Sequence, residues 1–114
     1  FKVQGKNQAD AARIKADALA LQAAGAKLLV LEAIPAALAT DITTALHIPT
    51  IGIGAGTGCS GQVLVMHDLL GLSKSAPKFV KDFMQGQSSI AAAINTYITE
   101  VKTGIFPGTE HSFS

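Results

Sequence analysis

Glu32 directly follows the unbroken apolar run Leu28-Leu29-Val30-Leu31, and no other residue of this chain is so suggestive of chemistry. Runs of this kind are strands buried on both faces, as in parallel sheets. A carboxylate in that position lies at the carboxyl end of a parallel sheet, where barrel enzymes build their active sites. Strand alternation puts it on one side with Val30 and Leu28. If that side faces a barrel axis, the carboxylate enters a partly apolar pocket. Loss of water there strengthens its hold on a proton, as a general base requires. The plainer alternative is a strand-end carboxylate that faces water or caps the helix near Pro35.

Glycine dominates the second suggestive stretch, Gly52-Ile53-Gly54-Ala55-Gly56. Gly52 and Gly54 alternate with Ile51 and Ile53, so both glycines fall on one face. A face without side chains leaves room for a ligand or for close backbone approach. Gly56-Thr57-Gly58-Cys59-Ser60-Gly61 spells G-x-G-x-x-G. A dinucleotide loop must lead from a strand into a helix N-terminus, where the pyrophosphate is held. Here strand-like Val63-Leu64-Val65-Met66 follows, and the match reads as coincidence. A phosphate site in a loop after a late barrel strand is the better alternative, since that is where such barrels hold phosphate.

His67 and Asp68 close what reads as a third strand, Gln62 to Asp68, and as neighbours they point to opposite faces. One of them would face an active site, or the two form a locally hydrogen-bonded structural pair. His47 lies in a loop and His111 in the tail, without companions at metal-ligand spacing. Cys59 has no histidine near it in sequence and carries no mark of a nucleophile. No metal site is composed from this chain alone.

The elements that must position these groups follow from periodicity. Asn7 caps a helix with Ala11, Ile14, Ala18 and Leu21 at helical spacing, stopped by Gly25. Pro35 suits the first turn of a second helix whose inward stripe is Leu38, Ile42, Ala45 and Leu46. His47-Ile48-Pro49 breaks it, and Thr50 to Gly54 reads as a second strand. Pro77 opens a short predicted helix with Phe79, Val80 and Phe83. Ser88 or Ser89 caps the last helix, with Ile90, Ile94, Tyr97, Ile98 and Val101 on one face and Gly104 as its stop. The tail from Ile105 to Ser114 has no periodicity. Alternating helices and buried strands predict an α/β fold with parallel strands. Three strands suit a slice of a (β/α)8 barrel of about 250 residues, or a small doubly wound sheet.

Composition favours the slice. The chain has 114 residues, 48% of them hydrophobic and only 15% charged, against about 25% charged in ordinary domains. This excludes a disordered chain and leaves too few charges for a free-standing surface, so part of that surface is expected to be covered. Net charge is +1 and the lysines are scattered, which argues against a nucleic-acid stripe. The single cysteine precludes an internal disulfide and fits a reducing cytoplasm. No apolar stretch nears the roughly 20 residues needed to span a bilayer. The opening at Phe1 reads as the start of an internal segment.

Several blocks together resemble the carboxyl-terminal portion of the ketopantoate hydroxymethyltransferase family, also called 3-methyl-2-oxobutanoate hydroxymethyltransferase. They are Lys2-Val3-Gln4-Gly5-Lys6, Asp17 to Leu21, Leu29-Val30-Leu31-Glu32 with Pro35, and Ile48-Pro49. They continue with Ile51 to Gly56, Gly61 to Asp68, Pro77-Lys78-Phe79, and Phe106-Pro107-Gly108 with Glu110-His111-Ser112-Phe113. The order is collinear and covers essentially the whole chain.

The resemblance implies a (β/α)8 TIM barrel in which residues 1–114 supply the last three strands and their helices. It implies hydroxymethyl transfer from 5,10-methylenetetrahydrofolate to 3-methyl-2-oxobutanoate, giving 2-dehydropantoate on the route to pantothenate and coenzyme A. It also implies Mg2+ on the 2-oxo acid, a homo-oligomer, and Glu32 as the base that removes the C3 proton. The metal's carboxylate ligands and the substrate-holding lysine and serine belong to amino-terminal strands outside this chain, which alone should be inactive. Two departures stand out. The family often has cysteine where this chain has Ala33, and commonly aspartate where it has Ser60.

Overall fold

The computed structural model describes residues 2–114. Helix α1 (Gln8–Ala23) starts where the Asn7 side chain accepts the Asp10 N–H at 2.8 Å, with Asp10 placed favourably against the helix dipole. Past its end, Gly25 takes φ +108, the left-handed conformation that stops a helix. Strand β1 (Leu29–Glu32) follows, then α2 (Ala36–Ala45) with Pro35 at its N-cap, and then β2 (Thr50–Ile53). Strand β3 is short (Gly61–Gln62). After it come α3 (Met66–Leu69), α4 (Ile90–Lys102) and a 3-10 turn over Thr109–His111.

The three strands form one parallel sheet in the order β1-β2-β3. Register pairs Val30 with Ile51, Leu31 with Gly52 and Glu32 with Ile53, and Ile51 with Gly61. Helices α1 and α2 pack over one face through Ala18, Leu31, Ile34, Leu38, Ala39 and Ile42. The fully buried Thr50 is satisfied there. Its hydroxyl meets Thr43 Oγ1 at 2.7 Å, its N–H donates to Ser60 Oγ, and the Ser60 N–H donates back to Thr50 Oγ1. Ser60 thereby ties the start of β2 to the start of β3. A second cluster joins Leu69, Phe83, Ala93 and Phe106, with Tyr97 and Val101 packed against it.

Four expectations require correction. The third strand ends at Gln62 and not at Asp68; Val63 to Val65 run on as loop and Met66–Leu69 coil into α3. Gly54 turns β2 away with φ +67, so the apolar run has no ladder to join beyond the Val63 N–H bond to Gly52 O and its β-propensity is overridden. The segment opened by Pro77 forms turns, not a helix. The Asp82 carboxylate takes the Met84 N–H, a local bond that competes with helix formation, and the Phe83 N–H goes to the distant Leu69 O instead of to a helical partner. On α4 the buried side is Ala93, Ile94, Tyr97 and Val101, while Ile90 and Ile98 are exposed. On α1, Leu21 is 49% exposed, at the margin of the stripe.

Candidate active site

Glu32 stands at the carboxyl end of β1, exposed, on the face opposite the one that α1 and α2 pack against. Its neighbours on that face are Val30, which is 54% exposed, and Ile53 across the ladder. Leu31, one residue back, points the other way and is buried. Alternation thus places a buried core side chain and an exposed carboxylate on opposite faces, one residue apart. Among the described residues the Glu32 carboxylate has no hydrogen-bond or ion-pair partner, which leaves both oxygens able to accept a proton. It does not cap α2. The first N–H of that helix, at Ala36, donates instead to Phe113 O in the tail.

The backbone beside Glu32 is unusual. Ala33 has φ +51, the one non-glycine residue with positive φ among those described. Its N–H donates to Ile53 O at 2.9 Å and its carbonyl accepts the Gln4 N–H at 3.1 Å. Sequence reasoning missed this feature, because alanine carries no signal for a left-handed position, where glycine or asparagine is the usual occupant.

The glycine face resolves in favour of close approach. A Cβ on Gly52 would lie 2.9 Å from Cys59 Sγ, and one on Gly54 would lie 2.5 Å from the Phe79 ring. A Cβ on Gly56 would meet Ala36 at 2.5 Å. The protein's own side chains lie against these glycines, and Gln62 Nε2 donates to Gly56 O across the loop at 2.8 Å. Phe79 meets Phe113 edge to face, with centroids 6.5 Å apart, and Lys78 lies over the Phe113 ring. The Pro77-Phe79 turn and the tail thus close over the carboxyl end of β2.

The remaining candidates do not gather around Glu32 as a catalytic set. His67 and Asp68 sit on α3 instead of a strand. The Asp68 carboxylate accepts the Ser73 hydroxyl, and His67 is exposed, so the two do not form a hydrogen-bonded pair. Burial pushes the Cys59 thiol up from its ordinary value, opposed by the Thr50 and Thr43 hydroxyls. A protonated thiol is a poor nucleophile. The His47 N–H donates to Gln22 Oε1, and His111 Nδ1 accepts the Gly108 N–H at 3.1 Å within the tail. Among the described residues no three of His, Cys, Asp and Glu come together as a metal-binding group. A lone carboxylate does not fit Mg2+, which takes octahedral oxygen ligation. Nor is any helix among them long and apolar enough to cross a membrane.

The profile of ketopantoate hydroxymethyltransferase matches residues 1–109. The chain belongs to that family. Among curated relatives, the 3-methyl-2-oxobutanoate hydroxymethyltransferase of Paraburkholderia xenovorans is 62% identical over 114 residues, 99% of this chain and 42% of the relative. Those of Burkholderia multivorans and Burkholderia mallei are 60% identical over the same shares. The chain therefore spans about two fifths, 42%, of the length of the ketopantoate hydroxymethyltransferases it matches.

Proposed function

We propose that this chain is the carboxyl-terminal part of a (β/α)8 barrel enzyme, in which Glu32 is the base of a hydroxymethyl transfer from 5,10-methylenetetrahydrofolate to 3-methyl-2-oxobutanoate. One observation carries the assignment of the base. Glu32 is a carboxylate without a partner among the described residues, at the carboxyl end of a parallel strand and on the face opposite α1 and α2, where barrel enzymes place their reacting groups. Family membership supplies the substrates.

In this reading a Glu32 oxygen takes the proton from C3 of the 2-oxo acid, and the electron pair left behind is delocalised as the enolate. Water adds at the folate-borne methylene and both of its C–N bonds break, so tetrahydrofolate leaves with a hydrogen on each nitrogen and the carbon is left at the formaldehyde level. The enolate carbon bonds to that carbon, its C=O π pair moves onto what becomes the hydroxyl oxygen of 2-dehydropantoate, and the proton held by Glu32 passes to that oxygen. Val30 and Ile53 would line the apolar side of the pocket that the remaining strands close around the carboxylate. The Mg2+ that the family resemblance implies would draw its ligands from those strands, since the residues described here do not compose a site. The amino-terminal half would then be both structural partner and source of the other site groups, and the isolated chain inactive. A cytoplasmic homo-oligomer serving pantothenate synthesis completes the proposal.

The test is Glu32→Gln in the complete transferase, read by deuterium exchange at C3 of 3-methyl-2-oxobutanoate. Loss of exchange with retained oxo-acid binding is the expected result. Exchange at the wild-type rate would overturn the assignment.

A further inference from the structure

Resting on the proposed role of Glu32, we propose that the backbones of Gln4 and Ala33 form a lock that aims its carboxylate, which makes both positioning residues. A non-glycine residue in the left-handed region persists only when its surroundings over-determine it. At Ala33 two backbone bonds do so. The N–H that follows Glu32 is bonded to Ile53 O at 2.9 Å, which fixes the peptide plane on the side of β2. The next carbonyl is bonded to the Gln4 N–H at 3.1 Å, which fixes the following plane on the side of the Lys2–Gly5 strap.

The strap is itself held down. Gly5 is buried at φ +79, and a Cβ there would lie 2.6 Å from Leu38 Cδ2 and 3.1 Å from Ile14 Cδ1. It therefore lies flat against α1 and α2 and cannot lift without losing that contact. The Glu32 carboxylate has no side-chain partner among the described residues to orient it. Its direction comes from the backbone that carries it, and that backbone is pinned on both sides. An orientation error of about 1 Å at a catalytic group is worth up to about a hundredfold in rate.

The experiment uses the complete transferase, assayed well below its melting temperature. Gln4→Pro deletes the one N–H in question, while Gln4→Ala keeps it and trims only an exposed side chain. Gln4→Pro should lower kcat and C3-proton exchange by about tenfold with KM for the oxo acid unchanged. Gln4→Ala should stay within about twofold, as surface substitutions usually do. Wild-type exchange in folded Gln4→Pro overturns the lock, and so does an equal loss in Gln4→Ala, which would assign the effect to the side chain. Should Gln4→Pro fail to fold, Ala33→Gly replaces it. Glycine tolerates the same φ but widens the accessible range, so exchange should fall at an unchanged melting temperature, and a wild-type rate overturns the proposal. Glu32→Gln run in parallel separates the two failures. Abolished exchange there beside normal exchange in folded Gln4→Pro sinks the lock alone, whereas normal exchange in Glu32→Gln sinks the base and the lock together.

Discussion

The two faces of the three-stranded sheet are built from the same residues in alternation, and they do opposite work. Leu31, Thr50 and Gly52 face α1 and α2, and there every polar group of Thr50 is paired and Ile42 is 0% exposed. Val30, Ile51, Glu32 and Ile53 face the other way, opposite α1 and α2, and Val30 is 54% exposed there. The covered face holds the fold together through burial worth about 1.5–3 kcal/mol for each large side chain. The other face holds the Glu32 carboxylate, without a partner among the described residues, beside the apolar Val30 and Ile53. The candidate base and the core are thus one residue apart, and a shift of register by one would exchange them.

The sharpest way to break this contrast is Glu32→Gln. In the complete protein it should cut C3-proton exchange by about 10²–10⁴-fold, the range of a general base, with little change in melting temperature. Ile42→Ala should do the reverse, costing about 2–5 kcal/mol in denaturant unfolding while the folded fraction keeps its exchange rate. Gly54→Ala should cost about 2–4 kcal/mol, because the new methyl meets the Phe79 ring at a left-handed position. Val30→Ser is a finer probe of the face opposite α1 and α2. If the remaining strands bury it, the complete protein loses about 1–3 kcal/mol; a change below about 0.5 kcal/mol would mean that this face stays wet. The smallest effect concerns Cys59, whose folded value is raised above the ordinary 9.0. A raised thiol binds its proton more tightly when folded, so stability should decline slightly as pH climbs past 9.0. Cys59→Ser should flatten that slope in thermal melts between pH 8 and 10.

Much of this was legible beforehand, for identifiable reasons. Asn7, Gly25, Pro35, Ser89 and Gly104 mark element ends through local backbone chemistry that needs no partner. β1 and β2 were readable because an unbroken apolar run between helices has few other uses. The run from Val63 to Met66 looked equally strand-like. It failed as a strand because a strand needs a ladder, and the left-handed turn at Gly54 ends the neighbouring one. Phe79 and Phe83 sit at helical spacing yet make separate contacts, one with Gly54 and one with Tyr97 and Phe106.

The sequence by itself determined the ends of α1, α2 and α4, the two longer strands and the family, together with Glu32 as the residue to test, because caps, periodicity and motif order are properties of neighbours along the chain. Only the tertiary structure decided that the glycines of β2 make room for Cys59 and Phe79, that His67 and Asp68 belong to a helix, and that Ala33 is held left-handed by Gln4 and Ile53. Those outcomes depend on which distant groups arrive at the same place, and a hydrogen bond between residues 4 and 33 leaves no trace in the local pattern of either.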